Sequence, residues 1–321
     1  MPTYNALTDR SDAQALMPEE VSREILGTIA EDSVVMRLGR RMPNMARAQT
    51  RMPMWGAIPE AYFVSGDTGR KQTTAVSWDN VYMNAEEIAV LVPIPNSVAD
   101  DADYDLWTEI KPGIVSAIGK KFDQAVLYGI NAPSSWPECI VEAAEAAGHE
   151  VTLGEVGDLY DDLLSENGVL ALIEEDGFMA TGHVAAMKMR AKLRSLRDQD
   201  DRPLFHASTD PAGAKSRYEL DGEPLFFPRN GAIDPSRSLL ISGDWDQLRW
   251  AVRQDVTFEI FDQGIISDDS GVVVFNAMQQ DSKIMRVVFR AGWCLPNPVN
   301  LVNSNSATRY PFAFLEPVAA S

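Results

Sequence analysis

The chain has 321 residues, with 28 Lys and Arg against 47 Asp and Glu, a formal charge of −19 and 45% hydrophobic residues. At about 150 residues per domain this is chain for about two domains with a sizeable core, and neither disorder nor a collagenous repeat fits the composition. The acidic balance argues against coating nucleic acid through the overall field, no apolar run reaches the ~18 residues of a membrane span, and Cys139 and Cys294 have no CxxC partner for metal or redox work.

The opening stretch, MPTYNALTDRSDAQALMPEE, is polar and does not read as a signal peptide. Pro18, Glu19 and Glu20 place proline and acids where a helix starts, and Val21, Ile25 and Ile29 follow at helical spacing, so a short amphipathic helix is predicted there. Residues 33–59 then carry Arg37, Arg40, Arg41, Arg47 and Arg51 without one acidic residue, while Pro43, Pro53 and Pro59 break any period. The first 60 residues read as an arm that needs another surface to lie on.

Between 61 and 85 the apolar runs AYFV and AVSWDNVYM flank SGDTGRKQTT, which holds Arg70 and Lys71. Val76 and Trp78, then Val81 and Met83, alternate with polar residues across Asp79 and Asn80, as strands with a turn or bulge would. This predicts a long hairpin, and because a lone two-stranded hairpin is marginal in water, a neighbouring surface is implied again.

Residues 87–95 (EIAVLVPIP) are a candidate buried strand. Trp107, Ile110, Ile114, Ile118, Phe122 and Ala125 then share one helical face, with Asp101, Asp103 and Asp105 at the positive end of the dipole; Pro112 and Gly113 predict a kink or a later start. From 139 to 242 acidic helix-like segments, short apolar strands and a basic helix alternate as a separate α+β region, the basic helix offering Met187, Leu193 and Leu196 to a core. After 242 strand patterns dominate, with Val256, Phe258 and Ile260 alternating, VVVF after a turn at DDSG, and KIMRVVFRAGW leading to Pro296 and Pro298. The tail SNSATRYPFAFLEPVAAS has no period and reads as an irregular terminus.

Motifs that would carry chemistry are weak. Asp101, Asp103 and Asp105 open like a calcium loop, but the required Gly and Glu positions hold Leu106 and Pro112, so helix capping is favoured. The stretch GIVSAIGK, ending at Lys120, departs from a phosphate loop in its glycine spacing and in having Lys121 where Ser or Thr would bind magnesium. His149, His183 and His206 have no ligand spacing and read as structural or surface residues. Asp158, Asp161, Asp162, Glu166, Glu174, Glu175 and Asp176 could supply a carboxylate pair, but their spacing reads as a solvated face. Lys188, Arg190, Lys192, Arg194 and Arg197 suit an intersubunit or surface role, since no aromatic residue is interleaved for stacking on bases. No catalytic, cofactor or metal residues are assigned.

The order of these pieces resembles the HK97-fold major capsid proteins of tailed double-stranded DNA phages, an α+β fold. MPEEVSREILGTIAEDSVVMRLGRRMPN is similar to the N-arm, FVSGDTGRKQTTAVSWDNVYMNAEEIAVLVPIPNSV to the extended loop with its following strand, and DLWTEIKPGIVSAIGKKFDQAVLYG to the spine helix. KLRSLRDQDDRPLF, LDGEPLFF, SLLISGDWDQLRWAVRQDVTFEI and RAGWCLPNPVNLV resemble later family segments in the same order. The resemblance implies an arm at 1–59, an extended loop at 60–85, a peripheral domain with the spine helix at 86–133, an axial domain at 134–245, peripheral strands at 246–285, a final axial strand at 286–303 and a tail at 304–321.

Its functional implication is a structural protein that assembles as pentamers and hexamers into an icosahedral shell around double-stranded DNA, bound without sequence specificity. A separate scaffolding protein, a portal and a maturation protease are the implied partners, with assembly in the host cytoplasm, no membrane and no cofactor. Arg37, Arg40, Arg41, Arg47, Arg51, Arg70 and Lys71 are the candidate intersubunit contacts. The alternatives are an encapsulin-type compartment shell and, from another class, a soluble carboxylate hydrolase. Some relatives join a loop lysine to a neighbour's asparagine with a glutamate as base. Aligned on Pro298, Lys71 fits the lysine, but the other two positions hold Asp281 and Val288, so a shell without isopeptide bonds is expected.

Overall fold

The computed structural model describes residues 33–64, 69–97, 106–196, 207–208, 217–268 and 270–318. The helix predicted around residues 18–29, the acids 101, 103 and 105, His206, Arg197 and the side chain of Trp107 lie outside them.

In chain order, a short helix α1 (Val34–Leu38) leads into β1 (Arg40–Arg41), β2 (Gln49–Ala57), β3 (Ser77–Asn84) and β4 (Glu86–Pro95). The long helix α2 (Leu106–Tyr128) precedes α3 (Ile140–Ala147), β5 (Glu150–Thr152), α4 (Leu159–Leu164), α5 (Val169–Glu175), β6 (Gly182–Ala185) and the basic helix α6 (Met187–Ser195). The rest is β: β7 (Ala207–Ser208), β8 (Arg217–Leu220), β9 (Glu223–Phe226), β10 (Leu240–Gly243), β11 (Arg249–Phe261), β12 (Ile265–Ser267), β13 (Val273–Asn276), β14 (Ser282–Cys294) and β15 (Phe312–Glu316). Helix α2 carries Pro112 without interruption, and Pro112 and Gly113 are both exposed. Its predicted face is buried at Ile114, Ile118, Phe122 and Ala125.

The chain divides into two compact units. One holds the described residues of Glu87–Gly119 and Gln254–Arg290. Here β14 lies between β11 and β4. Asn96 donates its amide to the Asp281 carbonyl at 2.9 Å, and Arg290 Nε donates to Glu87 at 2.8 Å. Val256 and Phe258 point inward as their alternation predicts, while Ile260 is exposed. The β12–β13 hairpin turns where the Asp268 carboxylate accepts the amides of Ser270 and Val272, the turn expected at DDSG.

The other unit holds Ser33–Glu86, Lys120–Arg253 and Ala291–Ser321. Its seven-stranded sheet has the order β5-β15-β10-β6-β9-β8-β7. Strand β15 runs antiparallel to β10 (Leu240↔Leu315, Gly243↔Phe312) and parallel to β5 (Leu315↔Val151), so it sits inside the sheet. This corrects the irregular tail expected at 304–321. A strand covered on both faces needs apolar residues at every position, so PFAFLEP shows no alternation to read. Phe312, Ala313, Phe314 and Leu315 are all buried.

The acids between 158 and 176 divide differently from the predicted solvated face. Asp162 is fully buried and accepts the amides of Gly154 at 2.6 Å and Val156 at 3.1 Å. Asp176 is buried against His149 Nε2 at 3.1 Å and accepts the Tyr310 amide at 2.6 Å. A buried carboxylate is tolerated only when donors replace its water, and both find theirs in loop backbone and amide groups. His149 and His183 are structural, as expected. His183 lies between the Ser242 hydroxyl at 2.8 Å and the Leu220 carbonyl at 3.1 Å, and burial pushes its pKa down to about 4. In α6 the buried apolar residues are Met189 and Leu193, with Leu196 packed beside them, because positions four and seven apart share a helical face; Met187, six residues before Leu193, falls outside that face and is exposed.

Gly243 faces the Phe312 ring so closely that an added Cβ would run into it. Gly243→Ala is therefore expected to lower the melting temperature by roughly 5 °C, the effect of about 2 kcal/mol of overpacking. Phe312→Leu in the same chain should recover part of that loss, measured by a thermal double-mutant cycle; equal and additive losses would show that the two positions do not meet.

Candidate functional site: arm anchor and exposed hairpin

Asp123, on α2, is fully buried beneath the start of α1. Its carboxylate accepts the Ser33 hydroxyl at 2.6 Å, the amides of Val34 at 3.1 Å and Val35 at 3.2 Å, and Asn230 Nδ2 at 3.0 Å. Ser33 Oγ in turn accepts the Met36 amide as the N-cap of α1. Past the helix, Arg40 and Arg41 pair in parallel with Arg249 and Trp250. The amides of Met42 and Met45 continue the bonding to the carbonyls of Trp250 and Val252. Trp250 Nε1 donates to the Gly39 carbonyl at 3.1 Å, a close approach that leaves no room for a Cβ at Gly39 beside Leu248.

Residues 33–45 thus lie on their own subunit, where an arm in search of another surface was expected. Proline and arginine hid this because β1 and its flanks bond through backbone groups, which carry no sequence signal. Two of the candidate arginines serve the same seat: the Arg37 guanidinium lies 4.5 Å from the Phe226 ring centroid and that of Arg41 5.6 Å from Trp250. Arg40, Arg47, Arg51, Arg70 and Lys71 are exposed, with no ion pair among the described residues.

The hairpin exists, but its outgoing strand is β2, upstream of AYFV and within the range read as arm. Residues 61–64 form no strand and are exposed. The register runs unbroken through Pro53↔Asn80 and Met54↔Asp79, where a turn or bulge was expected, and the irregularity falls between Trp55 and Ala57, opposite Trp78 and Ser77. Gly56 occupies that shift, with the Asp79 carboxylate filling the space where its side chain would be.

This register sorts the hairpin into two faces. Met52 and Val81 form one pair, Thr50 and Met83 another, and this face packs on Met45, Ala251 and Cys294. Asn84 fixes the base, its carbonyl accepting Trp136 Nε1 at 3.0 Å and its side chain donating to the Ser135 carbonyl at 2.7 Å. The opposite face pairs Arg51 with Tyr82 and Trp55 with Trp78, the two indole rings 5.9 Å apart. Trp78 is 64% exposed, and Trp55 and Tyr82 are exposed too. Sequence reasoning placed Trp78 in phase with Val81 and Met83, and so missed this aromatic face; the spacing of Trp78 and Tyr82, in step with each other and out of step with Val81, was the available signal. Beyond Ala57 the loop is drawn together by Tyr62 Oη on the Gln72 carbonyl at 2.7 Å and the Glu60 amide on Thr74 at 3.2 Å.

The Asp281 carboxylate accepts Asn96 Nδ2 at 2.8 Å, and Val288 is buried in β14. Among the described residues no group of three metal-ligating side chains occurs, and no helix is long and apolar enough to cross a membrane.

Residues 13–293 match the Phage capsid family. The chain is 26% identical over 272 residues to the major capsid protein of Staphylococcus phage 80alpha, covering 83% of this chain and 78% of that one. Among solved structures, a chain from Microbacterium phage Oxtober96 is similar with a TM-score of 0.76 and 29% identity, covering 89% of this chain and 91% of its own. One from Mycobacterium phage Adephagia is similar with a TM-score of 0.75 and 26% identity over 98% of this chain and 99% of its own.

Burial holds the Asp123 carboxyl near pKa 6, above its usual range. A raised carboxyl pKa contributes stability that is complete below about pH 4 and lost as pH rises through about 6. Relative to Asp123→Asn, which cannot titrate, the wild-type subunit should therefore lose on the order of 5 °C in melting temperature between pH 5 and 7.5. Parallel melting curves for the two chains across that interval would contradict this.

Proposed function

This chain belongs to the phage capsid family, and on that premise we propose how it works as the major capsid protein of a tailed phage, the subunit of an icosahedral shell. Its place is the virion capsid. Copies gather as pentamers and hexamers and close around double-stranded DNA, which they contact without sequence specificity. The net charge of −19 suits a wall from which packed DNA must slide free. A separate scaffolding protein, a portal and a maturation protease complete assembly in the host cytoplasm. The division at 1–59, 60–85, 86–133, 134–245, 246–285, 286–303 and 304–321 belongs to the same reading, with the extended loop reaching back to Gln49.

The observation that carries this reading is the face of Trp55, Trp78 and Tyr82, built onto a firmly based hairpin and left uncovered by its own subunit. Buried aromatic residues are the commonest anchors of protein interfaces, and a hairpin held at one end and bare along one side gains most from a neighbour. Arg40, Arg47, Arg51, Arg70 and Lys71 meet acidic surfaces of adjacent copies, while Arg37 and Arg41 first secure the arm to its own subunit. The compartment-shell and hydrolase readings are not favoured.

Replacing Trp55 and Trp78 together by Ala should cut particle yield, counted by electron microscopy, about tenfold or more. The isolated subunit should keep its melting temperature within about 2 °C, because neither ring supports the core. Normal particles from the double variant would overturn this assignment. Mature particles boiled in detergent and reductant should also run as one band at the monomer mass; a ladder of covalent multimers would refute a shell without isopeptide bonds.

A further inference from the structure

The loop from Asn297 to Tyr310 is built more firmly than its surface position requires. Asp176 is its seat: the carbonyl accepts Asn300 Nδ2 at 2.6 Å, Oδ1 accepts Asn303 Nδ2 at 2.6 Å, and Oδ2 accepts the Tyr310 amide. Arg309 ties the two ends together through Asn297 Oδ1 at 3.1 Å and the Asn303 carbonyl at 2.8 Å. What this frame displays is apolar. Leu301 is 84% exposed and Val302 68%, and Met179, two residues beyond Gly177, is 77% exposed. Val302 rests over Gly177, whose φ of +75° and lack of a Cβ admit it; an added Cβ would come within 2.9 Å. The setting is acidic: Glu174 and Glu175 precede Asp176 and are exposed, and residues 122–187 contain no Lys or Arg.

The same unit carries a pocket of about 300 Å³ with the opposite character. Met187, Pro228, Ile233 and Pro235 give it apolar walls, with Lys188 and Arg229 beside them. A Cβ on Gly231 would stand 3.4 Å from the Lys120 ammonium, which adds a third cation. The one carboxylate in the wall segment, Asp234, is already turned onto the Ser236 amide and hydroxyl.

Knob and pocket lie at opposite ends of the seven-stranded sheet. Gly182, Gly243 and Phe312 align at the end where the loop enters β15, whereas Val184, Ile241 and Phe226 lead toward the other end, where Ala186 and Pro228 begin the pocket. The two features of one chain therefore face away from each other. Complementary features at opposite ends make a head-to-tail contact, which closes into a ring when the rotation between copies allows it.

We infer that Leu301 and Val302 of one copy insert into the Met187–Ile233 pocket of a second copy of this chain, steered by Glu174 and Glu175 against Lys188 and Arg229. This contact rests on the shell reading and names one joint of its capsomers. Opposite charge around the joint favours this pairing over self-contact of two acidic knobs or two basic pockets.

A charge exchange in the full-length chain tests it. Glu174→Lys with Glu175→Lys should lower particle yield about tenfold with an unchanged subunit melting temperature, and adding Lys188→Glu with Arg229→Glu should bring it back to within about threefold of wild type. A second arm joins Leu301→Cys to Ile233→Cys; Cys139 and Cys294 are buried, so mild oxidation of particles should give covalent multimers that neither single cysteine gives. Undiminished yield from the first variant, no recovery on exchange, or bonding confined to monomers would overturn the joint while wild-type particles leave the shell reading intact. Failure of the wild-type chain to form particles at all would overturn both.

Discussion

A carboxylate withdrawn from water has to be given donors in fixed positions, and two such carboxylates organise the larger unit. Asp176 gathers His149, Asn303 and the Tyr310 amide, and through Tyr310 it delivers Phe312 to its register against Gly243. His149 bridges the two, its Nε2 3.1 Å from the Asp176 carboxylate and its Nδ1 3.1 Å from the Phe312 carbonyl oxygen. Asp123 does the corresponding work at the arm, where it replaces the partners that the first amides of α1 lack. Breaking either cluster would leave several donors buried and unpaired at once, which is far costlier than losing one bond.

Such clusters free the remaining surface for other copies. The hairpin spends one face on Met45, Ala251 and Cys294 and keeps Trp55, Trp78 and Tyr82 outside. The loop after Asn297 spends its amides on Asp176 and keeps Leu301 and Val302 outside. In both places a polar or apolar anchor fixes the backbone before any neighbour arrives, so little conformational entropy remains to be lost on contact.

Much of this was legible in the sequence. The helical repeat of Ile114, Ile118 and Phe122 and the alternation of Val256 and Phe258 survive in three dimensions because a single buried face imposes a period. A strand forms at 87–95 too, but where a buried strand was expected it is the edge strand β4, with alternate residues exposed, Leu91 among them, and Ile94 buried. The order of elements was enough to suggest the family. What escaped reading has a common cause, in that it depends on partners distant in the chain. β15 is apolar from Phe312 to Leu315 because both of its faces are buried, which removes any alternation. Asp162 and Asp176 look like surface acids because their donors come from Gly154, Val156 and Tyr310, not from helix neighbours. Trp78 turned outward because register is set by β2, a strand in which Met52 and Met54 alternate with Arg51 and Pro53 but whose arginine and proline read as arm.

The position of β15 also bears on how the subunit comes into being. It lies between β5 and β10, yet in chain order it follows every other strand of its sheet. During synthesis, β10 with β6 and β9 can pair early, while β5 must wait for Phe312–Glu316 to emerge before it gains a strand neighbour. Until then the nascent chain exposes two unpaired strand edges, and Asp176 has no Tyr310 amide to hold. The loop bearing Leu301 therefore takes its shape only when the sheet closes. A chain still being made cannot present it to others, and folding itself sets the moment at which a subunit becomes competent to join the wall.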